Sequence, residues 1–299
     1  MSGAINGAVV FGLLVLTLAC GSPAPNGLPP GAISVIAGEN FWGSIALQLG
    51  GSHVSVQSVV SDPNADPHEY ESSANDARAF AEAKLVILNG AGYDDWGKKL
   101  LDASPASGRH VLTVAALLGK KVGDNPHFWY SPDYVARVAD AITAQYRSID
   151  SRDAGYFDQR RAEFATALRP YTDEIARIKL KYAGTPVGAT ESIFVYLAAA
   201  LGLNLTTPTE FMDAVAEGND PPAAAVVEFQ NQISANQINV LVFNVQTTTA
   251  VTTNMKTLAA ARHIPSTGLS ETVLPENVKF QDWQLRQLTS LEAALSSTS

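Results

Sequence analysis

Residues 150–182 read DSRDAGYFDQRRAEFATALRPYTDEIARIKLKY. Within them Phe157, Phe164, Leu168, Tyr171, Ile175, Ile178 and Tyr182 recur at steps of three, four or seven. That spacing lines one stripe of a long helix. Pro170 falls inside the stripe and predicts a kink or a break, because proline removes a helical donor and its ring crowds the preceding turn. Two ordinary helices in succession are the alternative reading. The stretch is decisive because of what flanks it.

On its N-terminal side short apolar runs alternate with helical patterns. Residues 33–37 (ISVIA) read as a buried strand, 40–49 as a helix, 54–60 as a β-rich run, 75–83 as a helix, and 85–88 (LVIL) as a strand ending at Asn89-Gly90-Ala91-Gly92. Residues 111–118 are expected to form a fourth strand. On the C-terminal side the alternation resumes. Strands are expected at 185–189, 240–243 and 264–269, and helices at 191–201, 223–235, 247–262 and 280–295. Strands separated by helices of this size pair in parallel. The expected fold is α/β: two α/β lobes with mostly parallel sheets, residues 32–149 and 184–299, joined by one long backbone helix at 150–183.

The chain has 299 residues, enough for one large or two ordinary domains. Hydrophobic residues make up 46% and charged residues 16%, which excludes a disordered or coiled-coil chain. The formal charge of -9 argues against nucleic acid, whose binding is driven by Lys and Arg. One cysteine excludes an intrachain disulfide framework and any multi-thiolate metal site.

From Ala8 to Ala19 the chain is uncharged and mostly apolar. A membrane span needs about 20 such residues, so residues 1–19 read as a secretory signal peptide, although no Lys or Arg precedes the apolar run. The only cysteine, Cys20, follows Leu18-Ala19 and precedes Gly21-Ser22, as at a bacterial lipoprotein processing site. Thr17 stands where Leu is commoner. Cys20 is therefore the expected lipidation site, and residues 20–31, rich in Pro and Gly, a flexible tether. A signal cut elsewhere is the plainer alternative.

Two of the five histidines lie in loops that look alike: Asp66-Pro67-His68-Glu69-Tyr70 and Asn125-Pro126-His127-Phe128-Trp129. Proline stiffens each approach, and the following aromatic can wall the ring in. A single loop histidine is commonly just exposed; two in near-duplicate settings point to a shared metal. Glu191 and Glu271 directly follow expected strands, as the two histidines follow others at longer range. All four then stand beyond strand carboxyl ends, where open α/β sheets bind ligands. Glu191 has a plainer role open to it, a carboxylate in a helix's first turn, and Glu271 alone reads as a solvated loop residue. Together, two imidazoles and two carboxylates suit a divalent metal, and the carboxylates neutralise the dication.

These motifs resemble those of the metal-binding solute-binding lipoproteins of bacterial zinc/manganese-type ABC importers, the TroA-like, cluster A-I family. The resemblance covers essentially the whole mature chain. It includes the lipoprotein start, both Pro-His loops, Asn89-Gly90-Ala91-Gly92-Tyr93 with Trp96, Glu191-Ser192-Ile193-Phe194-Val195-Tyr196 before Leu201-Gly202, and Ser270-Glu271-Thr272. It implies metal ligands at His68, His127, Glu191 and Glu271. It further implies two lobes bridged by one long helix that limits hinge bending, and capture of an ion for an ABC permease with its cytoplasmic ATPase. A monomer, lipid-anchored outside the cytoplasm at the cell surface or in the periplasm, is the implied state.

Four departures bear on the metal. The third ligand position, often His, is Glu191, as in manganese-leaning members. The fourth, usually Asp, is Glu271. Ser131 stands where many members carry Asp, and no His-rich loop separates His68 from His127, between which only His110 occurs. Bidentate carboxylates would favour manganese and monodentate ones tetrahedral zinc, with iron third. An enzyme is not expected: there is no His-Glu-x-x-His pair, no Gly-x-Ser-x-Gly elbow and no Gly-Lys-Ser/Thr phosphate loop. A binding protein for a metal chelate or another small organic ligand on the same scaffold is the nearer rival, and a zinc hydrolase the more distant one. His53 and His263 read as structural or capping residues, His110 as exposed, and Trp42, Trp96, Trp129 and Trp283 as packing residues, with Trp129 placed to shield His127.

Overall fold

The computed structural model describes residues 1, 3, 31–62, 70–275 and 278–297. The apolar run Ala8–Ala19, Cys20 and His68 lie outside them. Two parallel sheets organise the rest. The first contains β1 (Ile33–Glu39), β2 (Val54–Val60), β3 (Leu85–Leu88) and β4 (His110–Thr113), in the order β2-β1-β3-β4. The second contains β5 (Pro186–Ala189), β6 (Asn204–Leu205), β7 (Val240–Asn244) and β8 (Ser266–Leu269), in the order β6-β5-β7-β8. The two lobes thus repeat one winding scheme, a relationship no short-period sequence repeat announces.

Side chains alternate across each strand, so both faces of each sheet must be covered. In β1, Ile33, Val35 and Ala37 enter one large core while Ile36 faces the other way. In β3, Leu85 and Ile87 join the large core, and Val86 and Leu88 pack with Phe80 and Trp96. Those outer residues come from α2 (Ala74–Glu82) and α3 (Asp95–Ala103). In β7, Val240 and Val242 face the large core, and Leu241 meets Phe229 and Ile233 of α10 (Ala223–Ser234) and Met255 of α11 (Ala250–Ala261). Helix starts are locally encoded: Ser73 with Asp76 and Thr249 with Thr252 form capping boxes.

The large core runs through both lobes. It takes in α1 (Asn40–Gly50), α5 (Pro132–Ile149) and α12 (Phe280–Ser296), together with the linking segment. That segment consists of α6 (Ala154–Ala167) and α7 (Arg169–Tyr182), separated only by Leu168. Leu168 keeps right-handed helical dihedrals, φ -75° and ψ -16°. The helical ladder continues across it, from Leu168 N to Phe164 O at 3.0 Å and from Thr172 N to Leu168 O at 3.0 Å. Pro170 sits in the first turn of α7, where its missing donor does little harm. Every residue of the sequence stripe, from Phe157 to Tyr182, lies in the large core.

One expected strand is shortened. Residues 111–118 do not form a single strand: β4 ends at Thr113, and Val114–Leu118 is a short helix, α4, closed by Gly119 at φ 72°. Ala and Leu favour helix, and a glycine in the left-handed region stops it. A continuous apolar run does not betray that switch by periodicity. His110 is also not simply exposed. It opens β4 half-buried, with Nδ1 2.7 Å from Gln145 Oε1.

Candidate metal centre

In a sheet of this order the chain leaves the first strand toward opposite edges, and the crevice at that reversal is where ligands bind. In the first lobe the reversal lies between β1 and β3, in the second between β5 and β7. The residues ending these strands are Glu39 and Leu88, then Ala189 and Asn244. Asn89 to Tyr93 and Thr190-Glu191 follow directly.

Three of the four expected residues meet there. His127, Glu191 and Glu271 each offer one ligand atom within 4.8 Å of the others, and all three are buried. His127 Nε2 lies 3.4 Å from Glu191 Oε1 and 4.0 Å from Glu271 Oε2. His68 falls outside the described residues. The other histidines lie in different settings. His53 pairs with Asp153 at 2.8 Å and stacks on Tyr156, and His263 ends α11 with φ 59°.

The backbone places each group. His127 precedes a 3₁₀ turn, Phe128–Tyr130. Asn125 Oδ1 accepts from the His127 backbone N–H at 3.0 Å and lies 2.9 Å from its ring Nδ1. The orientation of the Asn125 amide is fixed at its other end, where Nδ2 donates to Ser192 O at 2.7 Å. Its oxygen must therefore be the acceptor and Nδ1 the donor, which leaves Nε2 as the ring nitrogen facing the cluster. Glu191 follows β5 with extended backbone and opens the turn Ser192–Phe194 without capping it. Glu191 therefore precedes the turn and does not lie in a helix's first turn.

Asn244 joins the two carboxylates. Its Nδ2 donates to Glu191 Oε2 at 2.6 Å and to Glu271 Oε1 at 2.6 Å, and lies 3.0 Å from Thr247 Oγ1. Its Oδ1 accepts from Gln246 N at 2.9 Å, which fixes which end of the amide faces the acids. Gln246 Oε1 in turn accepts from the backbone N–H groups of Glu271 at 2.6 Å and Thr272 at 3.1 Å. Tyr93 donates its hydroxyl to Glu271 Oε2 at 2.5 Å. Burial and the nearby carboxylates Glu271, Glu39 and Glu191 push that phenol well above its usual range, so it stays a donor.

Behind the cluster lies a second pair of acids. Asp94 accepts from Asn89 N at 2.6 Å and Gly90 N at 2.7 Å, which pins the turn after β3. Glu39, 1% exposed, lies beside Asp94. Burial first, then the Asp94 charge, holds the Glu39 carboxyl well above the ordinary range. Burial raises Asp94 as well, but its two backbone donors oppose that shift. Asn89 links this turn to the Pro-His loop: its Nδ2 donates to Pro126 O at 2.9 Å while its Oδ1 accepts from Trp42 Nε1 at 3.0 Å. Trp129 meets the His127 ring edge-on at 5.2 Å and stacks on Phe41 at 3.9 Å, giving the imidazole an apolar wall.

Asn125 and Tyr93 stood inside the quoted motifs without an assigned role. Asn244 and Glu39 were not singled out. Each ends a strand at the reversal of its sheet, and that position was the signal that could have found them. A cleft of about 660 Å³ borders the cluster, lined by Tyr93, Asn125 and Ser192 together with Val195, Met212 and Asp213.

Comparison with known proteins agrees with this architecture. The chain is 24% identical over 217 residues to the manganese ABC transporter substrate-binding lipoprotein PsaA of Streptococcus mitis, covering 65% of this chain and 68% of that protein. Among solved structures, the SBP FpvC of Pseudomonas aeruginosa in complex with Mn2+ superposes with a TM-score of 0.73 at 18% identity, covering 90% of this chain and 100% of that one. The Cd-bound periplasmic metal binding protein of Candidatus Liberibacter asiaticus gives 0.70 at 18% identity, covering 87% and 98%. At such identities these structures establish the fold. The sequence model described as ZnuA, zinc-uptake complex component A periplasmic, matches residues 35–294, nearly the whole described chain, and the protein therefore belongs to the ZnuA family of solute-binding components.

Proposed function

We propose that this chain captures a divalent transition metal, manganese or zinc, between its lobes outside the cytoplasm and delivers it to an ABC permease driven by a cytoplasmic ATPase. His127, Glu191 and Glu271 are ligands in this reading, and His68 supplies the fourth. The observation that carries it is the convergence of one imidazole nitrogen and two carboxylates, all buried, on a space within 4.8 Å. Buried carboxylates are costly unless paired, and a dication neutralises two of them. The orienting contacts from Asn125, Asn244 and Tyr93 are of the kind that hold metal ligands in place. Binding and release, not catalysis, is the work such a closed donor set performs, since four protein ligands leave no position for an activated water.

The lobes are residues 32–149 and 184–299, with 150–183 between them, and Cys20 carries the lipid anchor of a monomer. An organic chelate is the less favoured cargo: the described lining of the adjacent cleft carries Asp124, Asp213 and Glu217 but no Lys or Arg to meet an anionic chelator.

Calorimetric titration of metal-free protein with zinc and with manganese tests the reading. One ion is expected per chain, with His68→Ala and His127→Ala each losing most of the affinity. Saturable binding that survives unchanged in both variants would place the ion elsewhere.

A further inference from the structure

Asn125 engages three different partners. Its Oδ1 accepts from the His127 backbone N–H at 3.0 Å and lies 2.9 Å from the ring Nδ1. Its Nδ2 donates to Ser192 O at 2.7 Å, and its backbone carbonyl accepts from the Tyr196 hydroxyl at 2.9 Å. Ser192 and Tyr196 lie four residues apart, where the turn Ser192–Phe194 runs into α8 (Val195–Leu201), so both face the same side of the segment. Asn125 belongs to the loop that follows β4 and α4, and Ser192 and Tyr196 to the segment that follows β5. One residue of the first lobe is thus held at two points by the second. The Tyr196 ring packs across the same boundary: it meets Phe128 at 6.0 Å and, edge to face, Tyr134 at 5.4 Å. Phe128 directly follows His127, and Ser192 directly follows Glu191. The cleft beside the cluster is lined by Asn125, Ser192 and Val195, so this junction forms part of its wall.

We propose that Tyr196 is a positioning residue for metal release: its hydroxyl, together with Ser192 O, latches Asn125 to the second lobe, so that parting the lobes here also frees the amide that orients His127. The proposal rests on the metal-capture reading above. The three clustered side chains are buried, so an ion leaves only after a movement that uncovers them. While the latch is closed, Asn125 cannot rotate its amide without losing the Ser192 bond, and the imidazole keeps its aim. When the latch opens, the Tyr196 and Ser192 bonds break together, because both partners ride on one short helical segment. The amide then loses the contact that fixes its orientation, and the bond to Nδ1 loses its brace. Separation of the lobes and loosening of one ligand become a single event. Tyr196 is half-buried, so parting at this wall wets a phenol and not the shared core.

Tyr196→Phe keeps the ring and removes only the hydroxyl, so the aromatic packing survives. Tyr134→Phe, which trims the neighbouring ring outside the latch, is the control. Zinc association is followed by tryptophan fluorescence in stopped flow, and zinc dissociation by transfer to excess chelator, in wild type and both variants. Loss of one hydrogen bond from the closed state is expected to speed dissociation about 2–10-fold in Tyr196→Phe, with association within about twofold of wild type. Tyr134→Phe is expected to match wild type in both rates. An unaltered dissociation rate in Tyr196→Phe overturns the proposal. So does an equal rise in both variants, which would make the aromatic cluster a general brace. Failure of wild type to bind zinc or manganese would instead sink the metal-capture reading, and the latch with it.

Discussion

Asn125 Oδ1 sits 3.0 Å from the backbone nitrogen of His127 and 2.9 Å from its ring Nδ1, so one side-chain oxygen fixes both the turn and the tautomer. Nε2 is thereby committed to the cluster. In Asn125→Ala the ring loses its anchor, and the Ser192 carbonyl loses its donor. Metal affinity is expected to fall about 10–100-fold, with the fold retained, as read by chelator competition and circular dichroism. Unchanged affinity would mean that Pro126 and Trp129 alone hold the imidazole.

Glu39 predicts an unusual pH dependence of the metal-free protein. Its folded carboxyl is raised, mainly by burial, so the folded state binds a proton that the unfolded state releases near pH 4.3. Stability associated with that proton is full below about pH 4.3 and is lost as pH rises toward the folded value. Glu39→Gln keeps a neutral side chain at every pH. Its stability relative to wild type should therefore climb between acidic and neutral pH, by up to about 1.4 kcal/mol per pH unit. Urea denaturation at pH 5 and pH 8 checks this, and a pH-independent difference would show that Glu39 is ionised in the fold.

The polar residues of α1 at positions i, i+4 and i+8 tie the lobes together. Asn40 accepts from Val273 N at 2.8 Å and donates to Val273 O at 3.3 Å. Ser44 Oγ accepts from Phe280 N at 3.0 Å, and Gln48 Oε1 from Gln281 Nε2 at 2.8 Å. Val273 lies two residues beyond Glu271, so loosening it loosens a proposed ligand. Asn40→Ala should cost about 1–3 kcal/mol of stability, from two part-buried hydrogen bonds, and should speed metal release. Stopped-flow transfer to excess chelator measures the release; an unaltered rate would detach the α1 contact from the centre.

Bound metal should stabilise the protein by mass action. At a free ion concentration 100-fold above Kd the gain is about 2.7 kcal/mol. A chain of this size should melt about 5–10 °C higher, since each kcal/mol shifts Tm by about 2–4 °C. Scanning calorimetry with and without zinc reads the shift, and His127→Ala should erase it.

The proposed lipid on Cys20 would hold the protein at a membrane. Cys20→Ser removes the thiol that would carry lipid, and a chain without acyl groups has no buried methylenes to hold it at a membrane. Fractionation of cells expressing the variant should move the protein from membrane to soluble fractions. Continued membrane retention would assign the anchor to another segment.

Much of this molecule is legible in its sequence because local periodicity and burial obey the same geometry. The stripe from Phe157 to Tyr182 could have only one buried face, and it enters the shared core as read. Strands β1, β3 and β7 declared themselves by apolar runs between turn residues, and the Pro126-His127 motif marked a loop that reaches the cluster. Where a continuous apolar run served two structures, as at 111–118, pattern alone did not separate strand from helix.

Tertiary structure decided what depends on residues distant in the chain. Asn244 and Glu191 are 53 positions apart, and Tyr93 and Glu271 are 178 apart. The first contact joins the ends of neighbouring strands β5 and β7 in one sheet, and the second crosses from the first lobe to the second. No periodicity encodes which amide will reach which carboxylate, since that follows from the strand order β5-β7-β8 of the second sheet. The sequence determined the elements, their faces and the types of donor atom. The way those donors are turned was set only by the tertiary structure.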